Sequence, residues 1–157
     1  MKENPPGKIV HATNSGWEGI PVEGYVPGKI AGVERHTIVG SRKTDRAEAG
    51  PAIELRYFEL ERGAASRLER HEHEHIVIVK CGKGYAVLDG AANEIAENDI
   101  VYVAPAQLHQ FVNRGEEPFG FYCIVEAARD VSQPPSDEDL RRLQSSAAGK
   151  VARPNFG

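Results

Sequence analysis

The chain reads as all-β, a barrel or sandwich of short strands with one peripheral helix near the C-terminus. Three observations predict this. Sixteen glycines and ten prolines among 157 residues cut the chain into segments too short for helices and right for strands. Ile53-Glu54-Leu55-Arg56-Tyr57 alternates apolar with polar at period two, as a strand with one buried face should. Only the stretch after Pro134-Pro135 carries the start and stop signals of a helix.

Taken in order, residues 1–52 hold eight glycines and five prolines, with short apolar pieces at Ile9-Val10 and Thr37 to Val39. They read as an edge strand or an arm reaching a partner subunit. Residues 53–128 form the barrel core. After Ile53 to Tyr57 the parity breaks at Phe58 and Leu60, which suggests a bulge. Ser66 to His71 reads as the next strand and Ile76 to Val79 as another. A turn at Cys81-Gly82-Lys83-Gly84 leads into Tyr85 to Leu88, and Asp89-Gly90 is a strong hairpin signal. Asn93 to Ala96, Ile100 to Val103, His109 to Val112 and Phe119 to Val125 complete the strands. Residues 129–157 form the C-terminal helix and tail, all within one domain. Ser136 caps the helix, Asp137, Glu138 and Asp139 complement its dipole, Leu140 and Leu143 share one face, and Gly149 stops it.

Composition excludes several classes of function. Nineteen Lys and Arg against 23 Asp and Glu leave a formal net charge of −4, so no basic excess exists to hold nucleic acid or an anionic membrane. The apolar runs are too short to span a bilayer, and the polar, proline-bearing start of the chain is not expected to act as a signal peptide. A cytoplasmic protein is expected. Cys81 and Cys123 sit in dissimilar settings, one in a turn and one in a strand, and are expected to remain unjoined.

The chemistry lies in the histidines. Three of the six fall within His71-Glu72-His73-Glu74-His75, and His109 follows 34 residues after His75 between two strand-like runs. Inward-facing positions on neighbouring strands can assemble a metal site in this way. Glu69, His71, His73 and His75 share strand parity, so alternation alone puts all four on one face. A chain reversal between His73 and His75 has only Glu74 to work with. Between His71 and His75 it has three residues, which favours that pair.

The spacing resembles the cupin superfamily, whose first motif is G-x5-H-x-H-x3,4-E-x6-G and whose second is G-x5-P-x-G-x2-H-x3-N. Gly63, Glu69, His71, His75 and Gly82 fall on the steps of the first. In the second, His109 and Asn113 match, Asn98 stands for the opening glycine, Pro105 is one place late and Ala106 replaces the inner glycine. The resemblance covers Ile53 to Val125. It implies an antiparallel double-stranded β-helix, the cupin jelly-roll barrel, and a homodimer. It also implies one divalent metal ion per chain held by Glu69, His71, His75 and His109, with Glu and His exchanged relative to the usual order. Fe, Mn, Ni, Cu and Zn all suit such nitrogen and oxygen ligands.

As function, the resemblance implies a metal-dependent enzyme acting on a small polar organic substrate, first an oxidoreductase of dioxygenase type. The alternatives are a non-redox lyase, decarboxylase or sugar isomerase, or a non-catalytic binding module. Candidates beside the metal are Tyr57 and Tyr102, either of which could donate a proton from a suitable pocket, and Cys123, whose commoner role is that of a small buried hydrophobe. His11 and His36 read as surface residues. Glu72, His73 and Glu74 fall in the loop, and Asn113 reads as closing the turn before Arg114-Gly115.

Overall fold

Eleven strands and one α-helix follow one another along residues 5–155, the part of the chain that this computed structural model describes. The first are β1 (Ala12–Thr13), β2 (Gly16–Trp17), β3 (Glu23–Gly24), β4 (Val33–Val39), β5 (Ile53–Leu60) and β6 (His75–Cys81). Then come β7 (Lys83–Leu88), β8 (Ala91–Ala96), β9 (Ile100–Val103), β10 (His109–Val112), β11 (Phe119–Glu126) and the helix α1 (Asp137–Gln144). One sheet runs β3-β4-β5-β11-β6-β9, a second runs β10-β7-β8, and β1 and β2 form a hairpin of their own. All neighbouring strands are antiparallel. The two larger sheets face each other as a double-stranded β-helix, the jelly-roll barrel that was expected.

Between the sheets lies a core that includes Phe58, Leu60, Val77, Val79, Ala86, Phe111, Phe119 and Phe121. Each fully buried aliphatic or aromatic side chain contributes about 1.5–3 kcal/mol. A second cluster, with Leu68, Val87, Leu108, Val112, Leu143 and Ala148, seals the three-stranded sheet beneath the C-terminal segment. The helix that supplies Leu143 starts where expected. Ser136 accepts a hydrogen bond from the Asp139 amide while the Asp139 side chain bonds back to the cap. It ends at Gln144, before the expected stop at Gly149, where Ser146 turns both its amide and its hydroxyl onto the Leu143 carbonyl three residues back.

Several local expectations are corrected. β5 pairs with β11 in unbroken register from Leu60–Phe119 to Ile53–Glu126, so no bulge occurs at Phe58; the register step lies in β4, between Thr37 and Val39. The inward face of β5 is the opposite of the one read from alternation. Glu54, Arg56, Phe58 and Leu60 are buried, whereas Ile53 is 52% exposed. Tyr57, on the outer face, is buried against Trp17 and His36. His36 is therefore buried, not a surface residue.

Ser66 to His71 is not a continuous strand. Its partners change along the segment, from Val112 opposite Ala65 to His109 opposite Glu69 and Gln133 opposite Arg70, so no ladder propagates. The Cys81-Gly82 turn leads from one sheet to the other instead of closing a hairpin. Gly82 sits there at φ +71°, where a Cβ would lie 2.1 Å from the Pro118 carbonyl oxygen. The Asp89-Gly90 hairpin does form, with Leu88 opposite Ala91. Cys81 and Cys123 are both free thiols. Among the described residues, no helix is long and apolar enough to cross a membrane.

Candidate metal centre

His75 opens β6 in the larger sheet and His109 opens β10 in the smaller one, so the barrel itself brings them together. The Glu69–His109 bridge fixes the segment that carries His71. The chain then crosses through residues 72–74 to β6. The three rings meet with centroids 4.5 Å apart for His71 and His75, 4.7 Å for His71 and His109, and 5.3 Å for His75 and His109. One ring nitrogen from each lies within 4.8 Å of the other two, and all three residues are buried.

Hydrogen bonds fix the rings. His71 Nδ1 lies 2.8 Å from the His73 carbonyl oxygen and His109 Nδ1 lies 2.9 Å from the Gln107 carbonyl oxygen. A carbonyl only accepts, so Nδ1 carries the hydrogen in each and Nε2 keeps its lone pair. His75 Nδ1 meets Cys123 Sγ at 3.5 Å. The Nε2 atoms of His71 and His75 are buried without a hydrogen-bond partner. Burial pushes His71 down, His75 well down and His109 to about 4, so the imidazoles are neutral at pH 7. Convergent neutral imidazoles with orphaned lone pairs fit a divalent metal.

Glu69 stands at the edge of this group, Oε1 4.0 Å from His109 Nε2 and Oε2 without a hydrogen-bond partner. Burial raises its carboxyl, against the lowering effect of a hydrogen bond from Ser132 and of Arg67, Arg56 and Arg129. His73 lies in the loop, as expected, but is not solvated: its ring stacks on His71 at 3.5 Å, and its Nδ1 donates to Asp130 at 2.6 Å. Burial brings His73 down to about 4, so this contact is a hydrogen bond from a neutral ring. Burial alone would raise Asp130, but bonds from the Glu72 amide and from the side chain and amide of His73 hold it at about 2.

Of the other candidates, Cys123 lines the cavity beside the histidines, while Tyr57 and Tyr102 do not. Tyr57 donates its hydroxyl to Glu59 on the outer face of the sheet, and Tyr102, 53% exposed, donates to Glu74. Asn113 closes its turn as expected, accepting from the Gly115 amide, and Gln110 clamps Ser66 and Arg153 by their backbones. The cavity measures about 600 Å³ and is lined by Glu69, His75, His109 and Cys123 together with arginines that the sequence reading missed. Arg56 and Arg129 are prominent among these. For Arg56 a signal lay in the parity of β5, since it shares the face of Phe58 and Leu60.

A jelly-roll barrel with three convergent imidazoles, two of them lining such a cavity, presents the donor set of a metal site. Residues 56–125 match the cupin-2 family, described as a cupin domain. A cupin-2 domain protein from Rhodospirillum rubrum superposes with a TM-score of 0.74 at 32% identity, covering 88% of this chain and 90% of that one. A cupin 2 domain-containing protein from Halorhodospira halophila does so with 0.69 at 38% identity, covering 92% and 94%. The 1-methylthio-D-xylulose 5-phosphate methylsulfurylase of Rhodospirillum rubrum is 41% identical over 95 residues, 60% of this chain, and the match spans 61% of that protein's length. The chain belongs to the cupin-2 domain family.

Proposed function

We propose that this protein is a metal-dependent enzyme of non-redox type acting on a small polar organic substrate in the barrel mouth. The observation that carries the reading is the convergence of three neutral, buried imidazoles, of which His75 and His109 line a cavity of about 600 Å³, a size that suits a small metabolite. His71, His75 and His109 would hold the metal, with Glu69 at the fourth place. When bound, the metal supplies Lewis-acid polarisation of a substrate oxygen. The chain's own residues do the rest. The Nδ1 bonds of His71 and His109 hold the rings in place. Glu69 Oε1 lies 4.0 Å from His109 Nε2 and its Oε2 3.9 Å from Arg67, which holds the carboxylate beside the imidazoles.

The dioxygenase expectation uses the same site. The 41% relative favours the non-redox branch, since its name describes chemistry on a methylthio sugar phosphate and not an oxygenation. The experiment is turnover of 1-methylthio-D-xylulose 5-phosphate by protein loaded in turn with Mn, Fe and Zn, with oxygen uptake monitored. Product formed equally under argon supports this reading. Oxygen consumed in step with product would restore the dioxygenase.

We also infer that the working unit is a homodimer, formed on the outer face of the six-stranded sheet.

A further inference from the structure

The arginines lining the cavity differ in what they touch. Arg35 donates Nε to Glu23 at 3.0 Å, and Arg129 donates Nη1 to Glu54 at 2.8 Å. Arg42 gives Nη2 to the backbone carbonyls of Arg129 and Asp130, at 3.1 and 2.9 Å. Arg56 has no comparable partner. It projects inward from the middle of β5 and is 9% exposed. Its Nη2 donates to Cys123 Sγ at 3.3 Å, a weak acceptor, and its Nε is buried with no hydrogen-bond partner. Glu54, already held by Arg129, comes no nearer than 3.9 Å.

A guanidinium carries five N–H donors and keeps its charge, so a buried one with a thiol as its hydrogen-bond acceptor is electrostatically unfinished. The surroundings do not finish it. Glu23 pairs with Arg35, Glu54 with Arg129 and Glu69 with Arg67, so the cavity lining sets five arginines against three carboxylates and leaves none of the three for Arg56 alone. A divalent metal on the histidines would widen this positive excess. A neutral substrate leaves it standing, whereas a dianion balances it. The planar fork of a guanidinium matches two oxygens of such a group.

We propose that Arg56, with Arg67 beside it, seats the phosphoryl end of the substrate and so sets which molecules the site accepts. This rests on the reading that a small substrate enters this cavity. Cys123 Sγ touches both Arg56 and His75, so the seat lies one sulfur atom from the imidazoles. An anchored phosphate would leave the far end of the molecule at the histidines.

The test is calorimetric titration of inorganic phosphate, and separately of acetate, into the chelator-treated full chain and the Mn-loaded full chain. Arg56→Met, Arg56→Lys and Arg67→Met are compared with the surface control Arg62→Met, with melting curves to establish folding. Phosphate should bind without metal and weaken about tenfold or more in Arg56→Met, with partial recovery in Arg56→Lys and no change in Arg62→Met. If Arg56→Met does not fold, the rim variant Arg67→Met must show the weakening. Phosphate affinity unchanged in folded Arg56→Met, phosphate binding that vanishes on chelation, or acetate binding as tightly as phosphate would each overturn the proposal. Because the readout is binding, a protein that seats phosphate through Arg56 but turns over no substrate refutes the enzyme reading and leaves this seat intact.

Discussion

His73 and His109 are both coupled to His71 but by different atoms, and the difference separates a ligand from its support. His109 offers a ring nitrogen to the common centre, whereas His73 holds His71 by a backbone carbonyl, which a side-chain change leaves in place, and by ring stacking, which supplies no ligand atom. His109→Ala should weaken metal affinity by more than about 100-fold, since even partners outside the ligand shell are worth 10- to 100-fold. His73→Ala should retain metal nearly as well as wild type; elemental analysis of purified variants checks the ranking, and the reverse order would put His73 in the ligand shell. Acid should act on the same residues. His109 sits at about 4 in the fold against 6.5 for an ordinary histidine, so between these values the unfolded chain binds more protons. Its contribution is present above about pH 6.5 and is lost as pH falls towards 4. Metal-free protein should lose on the order of 3 kcal/mol across that window from this one buried group. Urea melts of the chelated protein at stepped pH measure it, and a flat profile from pH 7 to 4 would refute it.

Among the elements, local spacing was the legible part and the choice of face was not. The five motif positions from Gly63 to Gly82 single out His71 and His75 without knowledge of the fold, because loop length and turn chemistry are local properties. Asn98 and Ala106, read as substitutes for motif glycines, both adopt left-handed backbone, at φ +72° and +61°. Arg56 and Glu54 escaped notice because the alternation of Ile53, Leu55 and Tyr57 points their apolar side chains inward and these two outward, whereas the fold buries the other face. Which face becomes interior depends on the β1–β2 hairpin covering Tyr57 and on the second sheet covering Phe58, contacts distant in sequence. The two motif glycines give a test of the turn geometry. Gly63 has φ +75° with open space where a Cβ would go, while at Gly82 a Cβ would strike the Pro118 carbonyl. Gly63→Ala should therefore cost about 1 kcal/mol for backbone strain alone. Gly82→Ala should cost about 3 kcal/mol or more, as the crossover must shift. Thermal melts showing equal losses would mean that the crossover at Gly82 is looser than its contacts indicate.

At the scale of the molecule, the outer face of the six-stranded sheet is apolar across four strands, covered by the β1–β2 hairpin at Tyr57 and open at Ile76, Ile100 and Tyr102. Register aligns Leu55, Ile124, Ile76 and Tyr102 in one row, and Tyr57, Tyr122, Ile78 and Ile100 in the next. Ile76 is 44% exposed, Tyr102 53% and Ile100 69%. Scattered exposed apolar residues are ordinary, but Ile76, Ile100 and Tyr102 stand together at the open end of two registered rows and form a patch of the kind that marks an interface. A second copy is the occupant that suits such a patch, because a twofold axis lets one surface serve as its own complement. Light scattering should thus give twice the 17.2 kDa chain mass. Ile76→Glu would bury a carboxylate from each copy in that interface and should weaken pairing by at least about 100-fold. Metal content should not change, because Ile76 points away from the barrel interior that its neighbour His75 faces. A wild-type chain that is monomeric at tens of micromolar, or an Ile76→Glu variant that remains dimeric, would exclude this face as the interface.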